Sequence, residues 1–118
     1  MENQKSQTRV SDLSLAFALK IISFVEVLEA QRKYVIAKQL LRSATSIGAN
    51  INEAQNPESR ADFIHKLKLA AKEAEETKYW LTLCNRSESY PSNQNLFDEC
   101  IVINKVLSKI IGTTKSNA

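Results

Sequence analysis

Apolar residues recur with a 3.6-residue period in four segments of the chain, divided by three short polar breaks, and this pattern predicts four helices. The first predicted helix runs from about Ser11 to Ala30, with Ser11 as a plausible N-cap. From Leu13 to Leu28, twelve of sixteen residues are apolar, and only Ser14, Lys20, Ser23 and Glu26 interrupt them. A helix on the outside of a single bundle needs an apolar arc of little more than about 100°. This one is apolar most of the way round, which implies burial on a second side, against another subunit.

The second predicted helix spans about Ile36 to Gln55, with a core stripe of Ala37, Leu40, Leu41, Ala44, Ile47, Gly48 and Ile51. Asn56-Pro57-Glu58 breaks it, because Pro57 disfavours helical geometry at Asn56. Ser59 then caps a third helix, with Asp62 three residues on as in a capping box. That helix reaches about Asn85. Its seam of Phe63, Leu67, Ala70, Ala74, Thr77, Leu81 and Cys84 steps by four and three, and its small members allow close helix approach. The break from Glu88 to Gln94 contains Pro91, and Asn95 with Asp98 marks the start of a fourth helix. This last helix is apolar at ten of sixteen positions from Leu96 and is predicted to stop at Gly112, after Ile111. Residues 1–10 and 113–118 are predicted to be flexible tails around a bundle of residues 11–112. Connections this short force neighbouring helices antiparallel, so the expected fold is all-α, an up-down-up-down four-helix bundle.

Composition agrees with this pattern. The 118 residues are 43% hydrophobic and 25% charged, the range of an ordinary soluble domain, and one domain of this size needs no metal or disulfide staple. Two Gly and two Pro are too few for turn-rich β architectures. The formal charge of +3 is a mild bias and does not by itself indicate a nucleic-acid binder. No apolar stretch near the N-terminus is long enough to span a bilayer, and the mostly polar segment that leads it does not suit a signal peptide. Cys84 and Cys100 form no metal-binding spacing and are expected to be reduced, as in a cytoplasmic protein.

Four constellations could carry chemistry. A di-metal carboxylate site of the kind found in four-helix bundles needs two Glu-x-x-His pairs. Only one His is present, in Asp62-x-x-His65, so no metal site is expected. Arg60 and His65 match the loose Arg-x-x-x-x-His spacing of HEPN-type helical ribonucleases, which cleave RNA without metal. Ala61 stands where that pattern prefers a polar residue, and the favoured reading is an exposed first-turn Arg and a helix-surface His. Ser43, Ser46, Asn50 and Glu53 follow one another at intervals of three, four and three on the second helix. Such a polar stripe beside an apolar seam is read as an inter-helix or inter-subunit network, with contact to a ligand as the alternative. Finally, Lys38 with Arg42, Lys68 with Lys72 and Lys105 with Lys109 are i, i+4 pairs of like charge, a mildly unfavourable arrangement that hints at phosphate-facing use. Lys72 and Glu76 should form an ordinary surface pair. With aromatics at 7%, no interleaving of basic and aromatic residues for strand stacking is visible, and a solvated mixed-charge surface is at least an equal reading of these pairs.

The stretch from Gln39 to Ala54 (Gln-Leu-Leu-Arg-Ser-Ala-Thr-Ser-Ile-Gly-Ala-Asn-Ile-Asn-Glu-Ala) resembles the signature of the bacterial four-helix bundle protein family. The first members of that family were described as reading frames inside intervening sequences of 23S ribosomal RNA genes. Ser59, Asp62-Phe63, Leu67, Ala70 and Ala74 to Leu81 continue the likeness, which is densest from 39 to 84. Ala54 departs from it, since many members carry Gly there, and should lengthen the second helix slightly. The resemblance implies a homopentameric ring, which suits the over-apolar first and fourth helices, and it carries over no catalytic residue. A distant relative, the accessory protein of diversity-generating retroelements, is a basic pentameric barrel that associates with a reverse transcriptase and with nucleic acid.

These readings together lead us to expect a non-enzymatic homo-oligomer without cofactor, metal, membrane or small-molecule partner. Its basic surface (Lys38, Arg42, Lys68, Lys72) would engage structured RNA or a ribonucleoprotein. The alternatives are a protein-interaction module and, behind it, a ribonuclease using Arg60 and His65.

Overall fold

Nearly the whole chain is helical in the computed structural model: α1 (Glu2–Ala30), α2 (Tyr34–Glu53), α3 (Arg60–Arg86) and α4 (Gln94–Ser116). The structure describes the backbone of residues 2–117 and the side chains of residue 5 and residues 9–117. No strand occurs among them. Packed pairs are α1 with α2, α2 with α3, α3 with α4 and α4 with α1, so the helices sit at the corners of a square. Numbers rise on α2 as they fall on α3: Ser43 meets Thr77 and Glu53 meets Lys66. The bundle is therefore antiparallel, and it measures 48 × 21 × 18 Å.

The seam expected on α3 is the one observed, with all seven of its residues buried. On α2, five members of the expected stripe are buried, while Leu41 and Gly48 turn partly towards α1. Ser59 caps α3, its hydroxyl accepting from the Asp62 N–H at 3.0 Å. The returning carboxylate of Asp62 accepts from the N–H of Glu58 rather than from that of Ser59, one residue earlier than a capping box requires.

Helix boundaries depart from the sequence reading in four places. α1 starts at Glu2, so Ser11 lies inside the helix and is not its cap; its carbonyl accepts from the Ser14 hydroxyl. Residues 2–10 hold neither Gly nor Pro, and extending an existing helix costs far less than nucleating one. The expected N-terminal tail is thus helical, and Val10 is part of the core. α2 runs from Tyr34 to Glu53, with Ala54 at its C-cap in ordinary helical geometry and buried, so the departure at this position fills core space. Asn93, not Asn95, caps α4, its side chain accepting from the Leu96 N–H at 3.0 Å. α4 also continues through Gly112 to Ser116. Glycine weakens a helix by about 1 kcal/mol without breaking it, and Thr114, buried beyond it, holds the last turn against the bundle.

The turn between α1 and α2 is closed by backbone alone. The Lys33 N–H donates to the Leu28 carbonyl and the Arg32 N–H to the Glu29 carbonyl, both at 2.9 Å, which is a Schellman motif. Arg32 takes its left-handed position, with φ 62°. That geometry costs an L-residue about 1–2 kcal/mol, most of which glycine avoids. Arg32→Gly is therefore expected to raise stability by about 0.5–1 kcal/mol, after the greater freedom of glycine in the unfolded chain is deducted. Thermal unfolding of the two proteins at equal concentration checks this, and an unchanged or lower midpoint would show that the Arg32 side chain itself stabilises the turn.

Candidate nucleic-acid interface

The polar stripe on α2 divides into three separate arrangements. Ser43 is fully buried, and its hydroxyl accepts from Thr77 on α3 at 2.8 Å while donating to the Leu40 carbonyl at 3.3 Å. Ser46 and Asn50, both half-buried, bond back to carbonyls of their own helix, Arg42 at 2.7 Å and Ser46 at 2.9 Å respectively. Glu53 is exposed and pairs with Lys66 of α3 at 3.1 Å. Two of the four residues thus link α2 to α3, and the other two satisfy themselves locally.

Among the cations, position in the bundle decides which keep an open charge. Arg42 is engaged: one guanidinium nitrogen sits 3.2 Å from Glu73, and the other bonds the Glu76 carboxylate. The second of these bonds raises the Arg42 pKa against the opposing effect of burial. Glu76 also accepts from the Trp80 indole at 3.0 Å, and this bond first, then Arg42, holds its carboxyl below the usual range. Glu76 therefore does not serve Lys72, and the expected Lys72–Glu76 pair is not formed, because Arg42 reaches across from α2. Lys20 pairs with Glu99, Lys66 with Glu53 and Lys78 with Glu75. Lys38, Lys68 and Lys72 are exposed, and no carboxylate lies within ion-pair distance of them among the described residues. Of the four basic residues singled out in the sequence, Arg42 is the one held in ion pairs. Lys115, from the last turn of α4, lowers the Lys68 pKa, an effect that sequence spacing could not show.

Arg60 and His65 are not brought together. Five residues place them about 140° apart around α3. Arg60 lines a cleft with Phe63, Pro57 and Thr114, while His65 is exposed on the outer face. The two thiols are buried, and burial pushes Cys84 up to about 11 and Cys100 up to about 12. Cys100 in addition donates to the Ala74 carbonyl at 3.3 Å. The thiolate is the reactive form, so at neutral pH the folded protein is expected to react with a thiol-specific reagent orders of magnitude more slowly than the unfolded one. Stopped-flow labelling with and without denaturant measures the ratio, and fast native labelling would contradict the burial. Among the described residues no group of three or more His, Cys, Asp or Glu side chains could hold a metal ion, and no helix is long and apolar enough to cross a membrane.

Both flanks of α1 carry exposed apolar side chains. Leu15, Leu19 and Ile22 follow at four and three on one face, 63%, 59% and 42% exposed, beside the α1–α2 groove that Leu15 shares with Thr45 and Ala49. On the other flank Val27 lines a cleft of about 420 Å³ between α1 and α4, with Leu96 on the α4 side of it. A third exposed group stands at the end where both tight connections meet: Tyr34 and Val35 open α2 there, and the Lys33 ammonium lies 4.8 Å from the centre of the Tyr90 ring.

Compared with known proteins, residues 6–109 match the family model described as 23S rRNA-intervening sequence protein. The chain belongs to that family. A crystal structure of a protein of unknown function from the S23 ribosomal protein family of Bacteroides thetaiotaomicron is 46% identical. It superimposes with a TM-score of 0.85, and the alignment covers 91% of this chain and 98% of that one. No curated protein matches the chain. In this intervening-sequence protein the family match runs from within α1 to within α4 and includes Lys38, Arg42, Lys68 and Lys72; Lys115 lies beyond it.

Proposed function

We propose that this intervening-sequence protein is a non-enzymatic, ring-forming binding protein that engages structured RNA through its open lysines. The observation that carries the reading is the sorting of charge on the bundle surface. The acids of α3 are drawn to α2 (Glu73, Glu76) or held by Lys78 and Asn104 (Glu75), which leaves Lys38, Lys68 and Lys72 facing solvent uncompensated. Cations held without a counter-charge in the protein suit phosphate neutralisation with little base readout.

Assembly is supported by the two apolar flanks of α1. A single patch would serve a two-fold dimer, whereas two different patches on the two flanks of one helix suit head-to-tail contacts that close into a ring. Five subunits of +3 would give a particle of +15, enough to steer a polyanion from a distance. The reading as a protein-interaction module draws instead on exposed Tyr34 and Val35, at 59% and 78%.

The test is a gel-shift titration with a structured RNA at two salt concentrations, on protein stripped of nucleic acid and of known mass in solution. The expected result is a shift by an oligomer that weakens steeply with salt while the RNA stays intact. No shift at low salt would overturn RNA binding, and cleaved RNA that depends on His65 would return the ribonuclease.

A further inference from the structure

Basic and aromatic side chains come together at one end of the bundle, where the α1–α2 turn meets the α3–α4 connection. Arg32, Lys33 and Tyr34 follow one another through the turn, and the Lys33 ammonium lies 4.8 Å from the centre of the Tyr90 ring, which belongs to the other connection. That cation–π contact ties the two connections together. Tyr34 opens α2 with 59% of its surface exposed, and Lys38 stands one turn further on the same face of the helix. Glu29 and Glu88 are the acids of this end, and among the described residues neither forms an ion pair with Arg32, Lys33 or Lys38. Arg32 is the strained member. At φ 62° it occupies a position that glycine would fill at lower cost, and a charged side chain held in such geometry points to a use beyond the turn itself.

We propose that this end of the bundle is a stacking platform for an unpaired nucleotide of RNA: the base lies on the Tyr34 ring, and Arg32, Lys33 and Lys38 neutralise the flanking phosphates. This rests on the RNA-binding reading above and deepens it, because it selects loops, bulges and single strands over continuous duplex. A base inside a duplex has its faces covered by its neighbours, so only a nucleotide outside the helix can reach the Tyr34 ring. Stacking on an aromatic ring tolerates any base and releases no counterions, whereas the phosphate contacts weaken with salt. An apolar protein surface laid on Tyr34 would desolvate the three cations without pairing them, whereas RNA supplies a base face and phosphates together.

The test titrates wild type, Tyr34→Ala, Tyr34→Trp and Arg32→Gly over a salt series with two RNAs that share a stem sequence, a hairpin whose unpaired loop carries 2-aminopurine and a blunt duplex. Sedimentation of each protein checks its assembly. Wild type should bind the hairpin more tightly than the duplex and quench the 2-aminopurine fluorescence by stacking. Tyr34→Ala should bind the hairpin about fivefold to a hundredfold more weakly, with the quenching lost and duplex binding within about twofold of wild type. Tyr34→Trp should restore both affinity and quenching. Arg32→Gly should lower the log–log salt slope for the hairpin by about 0.7, the loss of one single-strand phosphate contact. Unchanged hairpin affinity in Tyr34→Ala overturns the platform and leaves the RNA reading standing. So does a Tyr34→Ala protein that loses its assembly and its duplex binding together with the hairpin, since Tyr34 would then be a contact between subunits. Failure of wild type to bind either RNA overturns both.

Discussion

Leu19→Glu is expected to yield a folded, helical protein that sediments as a single 13.3 kDa chain, where the wild type is expected to sediment as an oligomer. Leu19 is 59% exposed between Leu15 and Ile22, at the centre of the apolar face beside α2. In an isolated bundle a carboxylate there would be hydrated and would alter stability by no more than about 0.5 kcal/mol. In an assembly the same group would enter an apolar contact without a partner, at a cost of several kcal/mol per interface. The contrast makes the variant discriminating: folding is spared and association is lost. Circular dichroism checks the first and sedimentation the second. An oligomer that survives Leu19→Glu would move the interface elsewhere. A wild type that is already monomeric would remove the ring from the proposed function.

The second large effect belongs to the interior. Leu107 on α4 is fully buried in the bundle core. Removing three carbons from such a site costs about 2–5 kcal/mol, through lost transfer energy and the cavity left behind. Set against a total stability of about 5–15 kcal/mol, Leu107→Ala should lower the melting temperature by about 10–20 °C. The two proteins must be compared at one concentration, because the proposed assembly would make the melting temperature depend on it. A fall of less than about 3 °C would mean that the core repacks around the gap or that the subunit interface dominates stability. Together the two variants separate the forces: Leu107→Ala weakens the fold, whereas Leu19→Glu weakens only what the fold joins.

How far the site could be read in advance depended on whether its determinants are local. The α3 seam was fully legible, since spacings of three and four place Phe63, Leu67, Ala70, Ala74, Thr77, Leu81 and Cys84 on one face whatever they touch. The cap at Ser59 was legible for the same reason, while the start at Glu2 was not, because a polar segment that continues a helix carries no signal of its own. Charge was the least legible property. Lys72 and Glu76 are correctly spaced for a pair, yet Arg42 lies thirty-four residues away in sequence and takes the acid. The stripe from Ser43 to Glu53 was correctly read as aligned, but alignment along one helix does not say which members meet a neighbour. Ser43 and Glu53 meet α3; Ser46 and Asn50 turn back on α2.

The amino-acid sequence by itself determined the number of helices, their apolar faces and, through the shortness of the breaks, their antiparallel order, because each of these follows from periodicity and chain length. Only the tertiary structure decided which charges cancel. It set Arg42 against Glu73 and Glu76 and left Leu15, Leu19 and Ile22 uncovered. The physical reason is that electrostatic and interface properties depend on distances between helices, and those distances are fixed only when the core closes.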